Sequence, residues 1–352
     1  MNLIHKRCFS RLHSQNIIRA IAFPGQGSQF VGMGKELAEN FSSARETFER
    51  TDEALGYKLS DLIFNGNYNE LSNTDIAQPA IVSVGVAAVR ALQQETGQEI
   101  KDLCSFILGH SIGEYTALVC ANSISLEEGV RLVQLRGQEM KKAIKGLDVQ
   151  MVAIITRSTK LSEISSEVEN INALISENSN ETNGIFSKSD SVEVATDTQF
   201  TLSGTKLAVT FALEHLEENF GDMRIFKLPI SVPFHTKILK PAADELEKAF
   251  KQITFKQPDV PIVSNYTGKI IESHTEIPKL LALQTYSQVR WYDSIMHLHE
   301  LYGVDRWLCP GPSSVIFNTI RKTFPKAIIR QLETKQHVLD FAEIIKKQKS
   351  VL

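Results

Sequence analysis

A serine between two glycines is the sharpest chemical signal in the sequence. Ser111 is the central residue of the stretch Gly109-His110-Ser111-Ile112-Gly113. The apolar residues 104–108 before it favour a buried strand, and residues 114–121 after it favour a helix. Gly-x-Ser-x-Gly at a strand-to-helix turn is typical of a nucleophile elbow, in which the glycines leave room for the tight turn. Because a helix N-terminus favours developing negative charge, we predict that Ser111 is a nucleophile.

A serine hydroxyl is a weak nucleophile at neutral pH and needs a base. The candidate is His235 in the segment SVPFHT (231–236), which follows a predicted strand. Loops that follow the strands of an α/β sheet converge on a common site. His110 is closer in sequence, but neighbours on a tight turn point in different directions, so we interpret His110 as structural. Spacing alone leaves open that His235 is an ordinary surface or core histidine.

An oxyanion would need two main-chain N–H donors. Ile112, directly after the serine, is one candidate, and the loop FPGQGSQ (23–29) is the natural source of the other, since its glycines permit close approach of the backbone. The same loop is open to interpretation as a phosphate cradle. Its glycines at 25, 27 and 32 match neither the Walker spacing nor Gly-x-Gly-x-x-Gly.

One arginine lies on the apolar face of a predicted helix, residues 126–144. Arg136 falls three residues after Val133 and four before Met140, so it shares their face. A buried cation without a partner costs several kcal/mol as an order of magnitude, so Arg136 requires an anion. Two alternatives stay open from the pattern alone: an internal salt bridge, or a fork that grips a carboxylate on a substrate.

The elements that would position these residues alternate between strands and helices. A chain of 352 residues corresponds to about two domains, and 42% hydrophobic with 22% charged residues excludes disordered and collagen-like proteins. The order of elements up to residue 144 predicts an α/β fold with a mostly parallel sheet. From Met151 a compact β-α-β-α-β run of about 80 residues resembles a small ferredoxin-like unit inserted into the larger domain.

Charge, hydropathy and cysteine spacing exclude several classes of function. A net charge of −3 gives no basic footprint for nucleic acid, and no uninterrupted apolar run reaches the roughly 20 residues of a membrane span, so we expect no membrane insertion. The four cysteines contain no Cys-x-x-Cys pair, and the nine histidines show no zinc spacing. His297 and His299 fall on different faces of a helix. We therefore expect reduced thiols and no metal.

The N-terminus has the composition of a targeting segment. The first acidic residue is Glu36, and basic, Ser and scattered apolar residues precede it. Such a composition predicts a mitochondrial transit peptide over residues 1–18, cleaved between Arg11 and Arg19, and a mature protein in the mitochondrial matrix. A frayed basic tail on a cytosolic protein is the alternative.

Together these motifs resemble one family. FPGQGSQ, GHSIGEY, LVQLRGQEM and SVPFHT occur in this order from about Ala20 to at least Gly311 and are similar to segments of malonyl-CoA:acyl-carrier-protein transacylases. The resemblance implies a hydrolase-like α/β domain over 19–148 and 230–352, with a ferredoxin-like subdomain over 149–229. With the N-terminal segment, the resemblance points to the mitochondrial form that serves type II fatty-acid synthesis.

The resemblance also implies roles for individual residues. Ser111 matches the acylated nucleophile and His235 its general base, while Gln26 and Ile112 match the positions whose N–H groups form the oxyanion hole. Arg136 matches the arginine that binds the free malonyl carboxylate, which favours the second of its two interpretations. Phe234 resembles the malonyl rather than the methylmalonyl pattern. No cofactor is implied, because malonyl-CoA and the phosphopantetheine of acyl carrier protein are substrates, and we expect a monomer.

Two segments depart from the family pattern. Where relatives often have Pro-Val-Gln-Trp, whose main-chain carbonyl helps to orient the histidine, this chain has Gln288-Val289-Arg290-Trp291, so Arg290 is retained only as a candidate for supporting the histidine. Many relatives carry Asn-x-Asn-Ser where this chain has residues 193–199. The family's substrate contact by asparagine is therefore not carried over to this segment.

Two other functions are alternatives to acyl transfer. A serine thioesterase or esterase would use the same Ser111 and His235, but it usually orients its base with a late Asp or Glu and has no use for a buried Arg136. A non-catalytic subunit that binds the carrier protein would not need these three residues. A basic rim would suit an acidic carrier, and Lys227, Lys237, Lys240 and Arg290 are candidates, although scattered lysines are usually solvated surface.

Overall fold

The computed structural model describes residues 19–156, 161–179, 186–187, 190–196, 200–221 and 223–349. The predicted transit peptide, residues 1–18, lies outside the described residues. Within them, eight strands form two sheets. The strands are β1 (Ala20–Phe23), β2 (Phe106–Gly109), β3 (Val149–Thr156), β4 (Val192–Thr196), β5 (Phe200–Thr205), β6 (Met223–Lys227), β7 (Arg306–Pro310) and β8 (Ile328–Leu332).

Helices make up most of the remaining described chain. They are α1 (Lys35–Asn40), α2 (Ser42–Leu55), α3 (Leu59–Asn65), α4 (Tyr68–Leu71), α5 (Thr74–Thr96), α6 (Ile100–Leu103), α7 (Ile112–Cys120), α8 (Leu126–Ala143), α9 (Leu161–Ser179), α10 (Lys206–Phe220), α11 (Lys240–Phe250), α12 (Ile277–Tyr286), α13 (Trp291–Tyr302), α14 (Val315–Thr323) and α15 (Lys335–Lys349). Two short 3₁₀ turns cover Lys237–Leu239 and His274–Glu276.

The sheet of the larger domain is parallel throughout, in the order β2-β1-β7-β8. Phe23 at the end of β1 lies opposite Gly109 at the end of β2. Because parallel strands end at the same edge, the loop 24–29 and the turn at Ser111 emerge side by side. Residues 261–265 contribute two isolated bridges, in which Ile262 pairs with Ile107 and Val263 pairs with Ile270. The predicted α/β fold with a parallel sheet is confirmed.

Helix α5 is the buried centre of the larger domain. It begins at Thr74 and continues through Pro79 to Thr96. By length and composition alone it would be long enough to cross a membrane, but 83% of its apolar window is buried inside the protein. Its Gly85 packs so closely that an added Cβ would lie 2.7 Å from Thr116 and 3.3 Å from Phe23. The helix is therefore a core element that brings α7 and the sheet together.

The second sheet, in the order β4-β5-β3-β6, is antiparallel. Helices α9 and α10 share one apolar core with it, which includes Val152, Ile171 and Leu202. The element order is β-α-β-β-α-β, as in ferredoxin-like units, and it includes one strand more than the sequence predicts. The additional strand is β4, which the sequence analysis missed because short alternation in a polar stretch gives a weak periodic signal.

Candidate active site

Ser111 stands on a strained turn between β2 and α7, as the elbow motif predicts. Its backbone has φ 51° and ψ −108°, a positive φ that is uncommon for residues with a side chain. A Cβ at Gly109 would lie 2.1 Å from the backbone of Gly113, and a Cβ at Gly113 would lie 2.6 Å from the carbonyl oxygen of Phe23. Both glycines are therefore required for the chain to close the turn and present the serine hydroxyl.

Asn265 fixes this turn from outside. Its Oδ1 accepts a hydrogen bond from the N–H of Ser111 at 2.6 Å, and its Nδ2 donates to the carbonyl oxygen of Gly109 at 2.7 Å. The Asn265 side chain thus makes hydrogen bonds to the main chain on both sides of the strained turn. Asn265 itself is 1% exposed, so these buried polar groups pair with one another. The sequence analysis did not single out Asn265. The available signal was a polar Ser-Asn pair directly after the apolar residues 260–263.

His235 lies next to the serine. Its Nε2 is 2.8 Å from Ser111 Oγ, and its Nδ1 is 2.9 Å from the main-chain oxygen of Gln284. A carbonyl oxygen only accepts, so Nδ1 carries the proton and Nε2 accepts from the serine hydroxyl. This is the tautomer that a general base requires. His235 has φ 61°, so the loop at this point is also held in an uncommon conformation.

The electrostatic environment keeps this imidazole neutral. Burial, reinforced by the nearby charge of Arg136 and by His110, lowers the pKa of His235 to about 3. His110 itself packs edge-on against Trp291, 5.6 Å between ring centroids, and burial lowers its pKa to about 4. The predicted pairing of Ser111 with His235, rather than with its neighbour His110, is the geometry found.

Arg136 reaches the serine from α8. This helix begins with a capping box between Ser125 and Glu128, which fixes its start. At Gly137 a Cβ would lie 2.5 Å from Asp75 Cα, so α8 packs closely against the start of α5. Arg136 is 1% exposed, and its Nη2 donates to Ser111 Oγ at 3.4 Å. The arginine, serine and histidine therefore meet at one point.

Among the described residues, two side-chain amides and no carboxylate accept hydrogen bonds from the guanidinium. Arg136 Nη1 donates to Gln78 Oε1 at 3.0 Å, and Nη2 donates to Gln284 Oε1 at 3.2 Å. Its Nε is buried and has no hydrogen-bonding partner among the described residues. Burial without a paired anion lowers the pKa of Arg136 from its ordinary value. Of the two interpretations of Arg136, the internal salt bridge is not what the described residues show.

Neither Gln78 nor Gln284 was predicted from the sequence to be a site residue. Both are fully buried, on the otherwise apolar helices α5 and α12. An amide on an apolar helical face is a signal of the same kind as Arg136, because a buried polar side chain requires partners. Nothing in the local sequence indicates which partners these amides have.

A cleft of about 730 Å³ leads to the serine turn. The loop at Gln26, the ring of His110 and residues Met151, Thr201 and Leu228 of the small subdomain line it, so both sheets contribute to its walls. The side chain of Gln26 donates to Thr74 Oγ1 at 3.3 Å. Within the described part of the chain, the main-chain N–H groups of Gln26 and Ile112 donate to no other group. They are available to the site, as oxyanion donors must be.

Arg290 is not the residue that supports the histidine, which corrects the expectation from its motif. It precedes α13, is exposed, and pairs with Asp293 through a contact of 2.8 Å between Nε and Oδ2. Its own carbonyl oxygen accepts from the hydroxyl of Ser294. The acceptor for His235 comes instead from Gln284, at the end of the preceding helix, where the sequence carries no local mark of that role.

The four basic candidates for a rim are exposed, but they do not form a free cluster. Lys240 pairs with Asp244 at 2.7 Å, and Arg290 pairs with Asp293. In the segment that departs from the family, the carboxylate of Glu193 accepts from the main-chain N–H of Lys237 with both oxygens, each at 3.2 Å. This contact joins β4 to the loop that carries His235.

The chain matches known proteins over most of its length. Residues 21–294 match the family model described as acyl transferase domain. Malonyl CoA-acyl carrier protein transacylase of Bacillus subtilis is 35% identical over 304 residues, covering 86% of this chain and 89% of that protein. The protein of the same name from Salmonella typhimurium is 36% identical, covering 84% and 90%.

Solved structures agree with this match. The acyl-carrier-protein S-malonyltransferase of Bartonella henselae superimposes with a TM-score of 0.82 at 31% identity, covering 94% of this chain and all of that one. The malonyl CoA-acyl carrier protein transacylase of Coxiella burnetii gives a TM-score of 0.83 at 30% identity. These agreements in sequence and fold show that the chain is an acyltransferase and belongs to the malonyl CoA-acyl carrier protein transacylase family.

Proposed function

We propose that this enzyme transfers the malonyl group from malonyl-CoA to the phosphopantetheine thiol of an acyl carrier protein, through a malonyl ester of Ser111. The observation that carries the proposal is a buried arginine beside the nucleophile. Arg136 Nη2 is 3.4 Å from Ser111 Oγ, and its described partners are neutral. An acyl group with a free carboxylate at its far end supplies the missing anion while its thioester carbon faces the serine.

The first half-reaction forms the ester. His235 Nε2 takes the proton of the Ser111 hydroxyl as Oγ attacks the thioester carbon. The main-chain N–H groups of Gln26 and Ile112 donate to the carbonyl oxygen as its charge develops. The tetrahedral intermediate then collapses, the carbon–sulfur bond breaks, and the proton on His235 passes to the departing thiolate of coenzyme A.

The second half-reaction runs the same steps in reverse with a new thiol. The phosphopantetheine thiol gives its proton to His235 and attacks the ester carbon, and the carbon–oxygen bond to Ser111 breaks. Ser111 Oγ recovers the proton from the imidazole. Arg136 holds the malonyl carboxylate through both steps, so the acyl group stays oriented between them.

Intact-mass analysis tests this sequence of events. Mixing with malonyl-CoA should raise the mass of the protein by one malonyl group, and adding carrier protein should move that group to the carrier. The Ser111→Ala variant should show no adduct. An adduct retained on this variant would refute the assignment of Ser111 as the nucleophile. Release of free malonate instead of transfer would favour the thioesterase alternative.

We further infer that the enzyme acts as a monomer.

The cellular setting is a separate part of the proposal. We infer that residues 1–18 direct the protein to the mitochondrial matrix, where it supplies type II fatty-acid synthesis. The support is the acid-free, basic composition of that segment. Incubation of the full chain with energised mitochondria should give a protease-protected product whose N-terminus lies between residues 11 and 19. A variant with Lys6, Arg7 and Arg11 changed to Gln should stay outside the mitochondria. Equal import of this variant and the wild type would refute the targeting role of residues 1–18.

A further inference from the structure

A buried carboxyl lies beneath the site and has no part in the reaction described above. Glu114, in the first turn of α7, is 0% exposed. Its Oε2 accepts two hydrogen bonds, from Gln284 Nε2 at 3.0 Å and from the main-chain N–H of Asn265 at 3.2 Å. Its Oε1 is buried without a hydrogen-bonding partner among the described residues. A group that is costly to bury and is only half satisfied requires an explanation.

The two residues that donate to Glu114 are those that hold the reacting groups. Gln284 accepts from Arg136 with its side-chain oxygen, from His235 with its main-chain oxygen, and donates to the Ser111 carbonyl at 2.8 Å. Asn265 holds the Ser111 N–H. One carboxylate oxygen therefore joins the supports of the nucleophile, the base and the guanidinium.

The orientation of the Gln284 amide depends on this oxygen. The side chain presents an oxygen at one end and an NH₂ group at the other, and only the oxygen faces a cation favourably. Glu114 Oε2 and the Ser111 carbonyl oxygen both require the NH₂ group on their side, so the amide oxygen is directed at Arg136. Removing the acceptor at 114 would free the amide to rotate and place NH₂ against the guanidinium, donor against donor.

We propose that Glu114 is a positioning residue that, by fixing the side-chain amide of Gln284, holds Arg136 in the orientation that receives the malonyl carboxylate beside Ser111. This role rests on the proposed function. It assigns to Glu114, which lies beneath the site, an effect on the preference of the enzyme for the malonyl group. Glu114 does not touch the acyl group. It acts through Gln284, while the Nε donor of Arg136 has no internal hydrogen-bonding partner in the described part of the chain.

Single-turnover acylation of Ser111 by malonyl-CoA and by acetyl-CoA tests the proposal, because only malonyl uses Arg136. Glu114→Met removes the acceptor but keeps an unbranched side chain, Glu114→Gln keeps an oxygen acceptor, and Thr116→Val on the same buried helix is the matched control. We expect Glu114→Met to lose malonyl acylation by about 10–100-fold, the cost of a small misplacement, and acetyl acylation much less. Glu114→Gln and Thr116→Val should retain the wild-type ratio of the two rates.

Equal losses for both acyl groups, or a Glu114→Gln variant as impaired as Glu114→Met, would overturn the proposal, since a purely structural role predicts no change in selectivity. If Glu114→Met does not fold, Gln284→Glu replaces it. The carboxyl groups at positions 114 and 284 can then share one proton beside Arg136. Malonyl acylation should fall as pH rises and that proton is lost. A pH profile like that of the wild type would contradict the positioning role of Glu114. Failure of the wild-type enzyme to form a malonyl adduct would refute the proposed function itself.

Discussion

The main-chain oxygen of Gln284 lies 2.9 Å from His235 Nδ1 and fixes the ring in the tautomer that accepts from Ser111. Serine enzymes with a catalytic triad commonly place a carboxylate at this point. A carbonyl orients the imidazole equally well but brings no full negative charge to stabilise its protonated form. Burial, reinforced by Arg136 and His110, lowers the pKa of His235 to about 3, although the hydrogen bond to the Gln284 carbonyl opposes the shift.

The charge of Arg136 acts on the base as well as on the substrate. Because Arg136 lowers the pKa of His235, replacing it by Gln should raise that pKa. A base works only when it is neutral, so activity is lost as pH falls through its pKa, and the acid limb of Arg136→Gln should lie at higher pH than that of the wild type. The pH profile of kcat/KM with acetyl-CoA checks this. An acid limb at the same or lower pH would contradict the coupling.

Replacing Arg136 should also change which acyl group is accepted. Arg136→Ala removes the guanidinium that faces Ser111, so we expect kcat/KM for malonyl-CoA to fall by roughly 100-fold or more, as for loss of a buried charged contact. Acetyl-CoA, which has no carboxylate, should lose little or gain. Arg131→Ala, on the exposed face of the same helix, is the control. Unchanged selectivity in Arg136→Ala would show that the arginine is only structural.

The glycines of the serine turn should tolerate no side chain. Gly109→Ala places a Cβ 2.1 Å from the backbone of Gly113, and we expect a loss of more than about 3 kcal/mol in the free energy of unfolding, as for severe overpacking. Gly146→Ala has φ 87° but no atom within 4 Å of the new Cβ, so it should cost only about 1–2 kcal/mol of backbone strain. Urea unfolding of both variants gives the comparison. Equal stabilities would mean that the turn can relax.

Glu114 should make stability depend on pH. Burial raises the pKa of Glu114 to about 7 from an ordinary value of 4.5, although its hydrogen bonds and Arg136 oppose the shift. The folded protein therefore binds the proton more tightly than the unfolded chain, and stability is lost as pH rises from about 4.5 through about 7. Glu114→Gln cannot ionise, so its stability relative to the wild type should increase across that interval by on the order of 3 kcal/mol.

Thermal unfolding of wild type and Glu114→Gln at pH 5 and pH 8 measures this difference. Glu39→Gln, which removes a carboxylate from the exposed surface of α1, is the control. A stability difference between Glu114→Gln and wild type that stays constant with pH would show that Glu114 ionises in the folded protein as it does in water.

Features that depend on neighbours in the chain were predictable from the sequence. Ser111 was predictable because the glycines two positions on either side of it are a local steric requirement. Arg136 was recognisable because helical periodicity places it on a buried face. The parallel sheet followed from the alternation of strands and helices, and the match of motifs indicated the family.

Which distant groups complete the site depends on how the folded chain packs, and no sequence pattern indicated it. The acceptor for His235 Nδ1 is the main-chain oxygen of Gln284, 49 residues away, and not that of Arg290, which accepts from the hydroxyl of Ser294. Glu114, Asn265 and Gln284 meet although they lie on separate segments. Hydrogen bonds between side chains depend on packing and direction in space, and neither is encoded in the spacing of residues along one helix or strand.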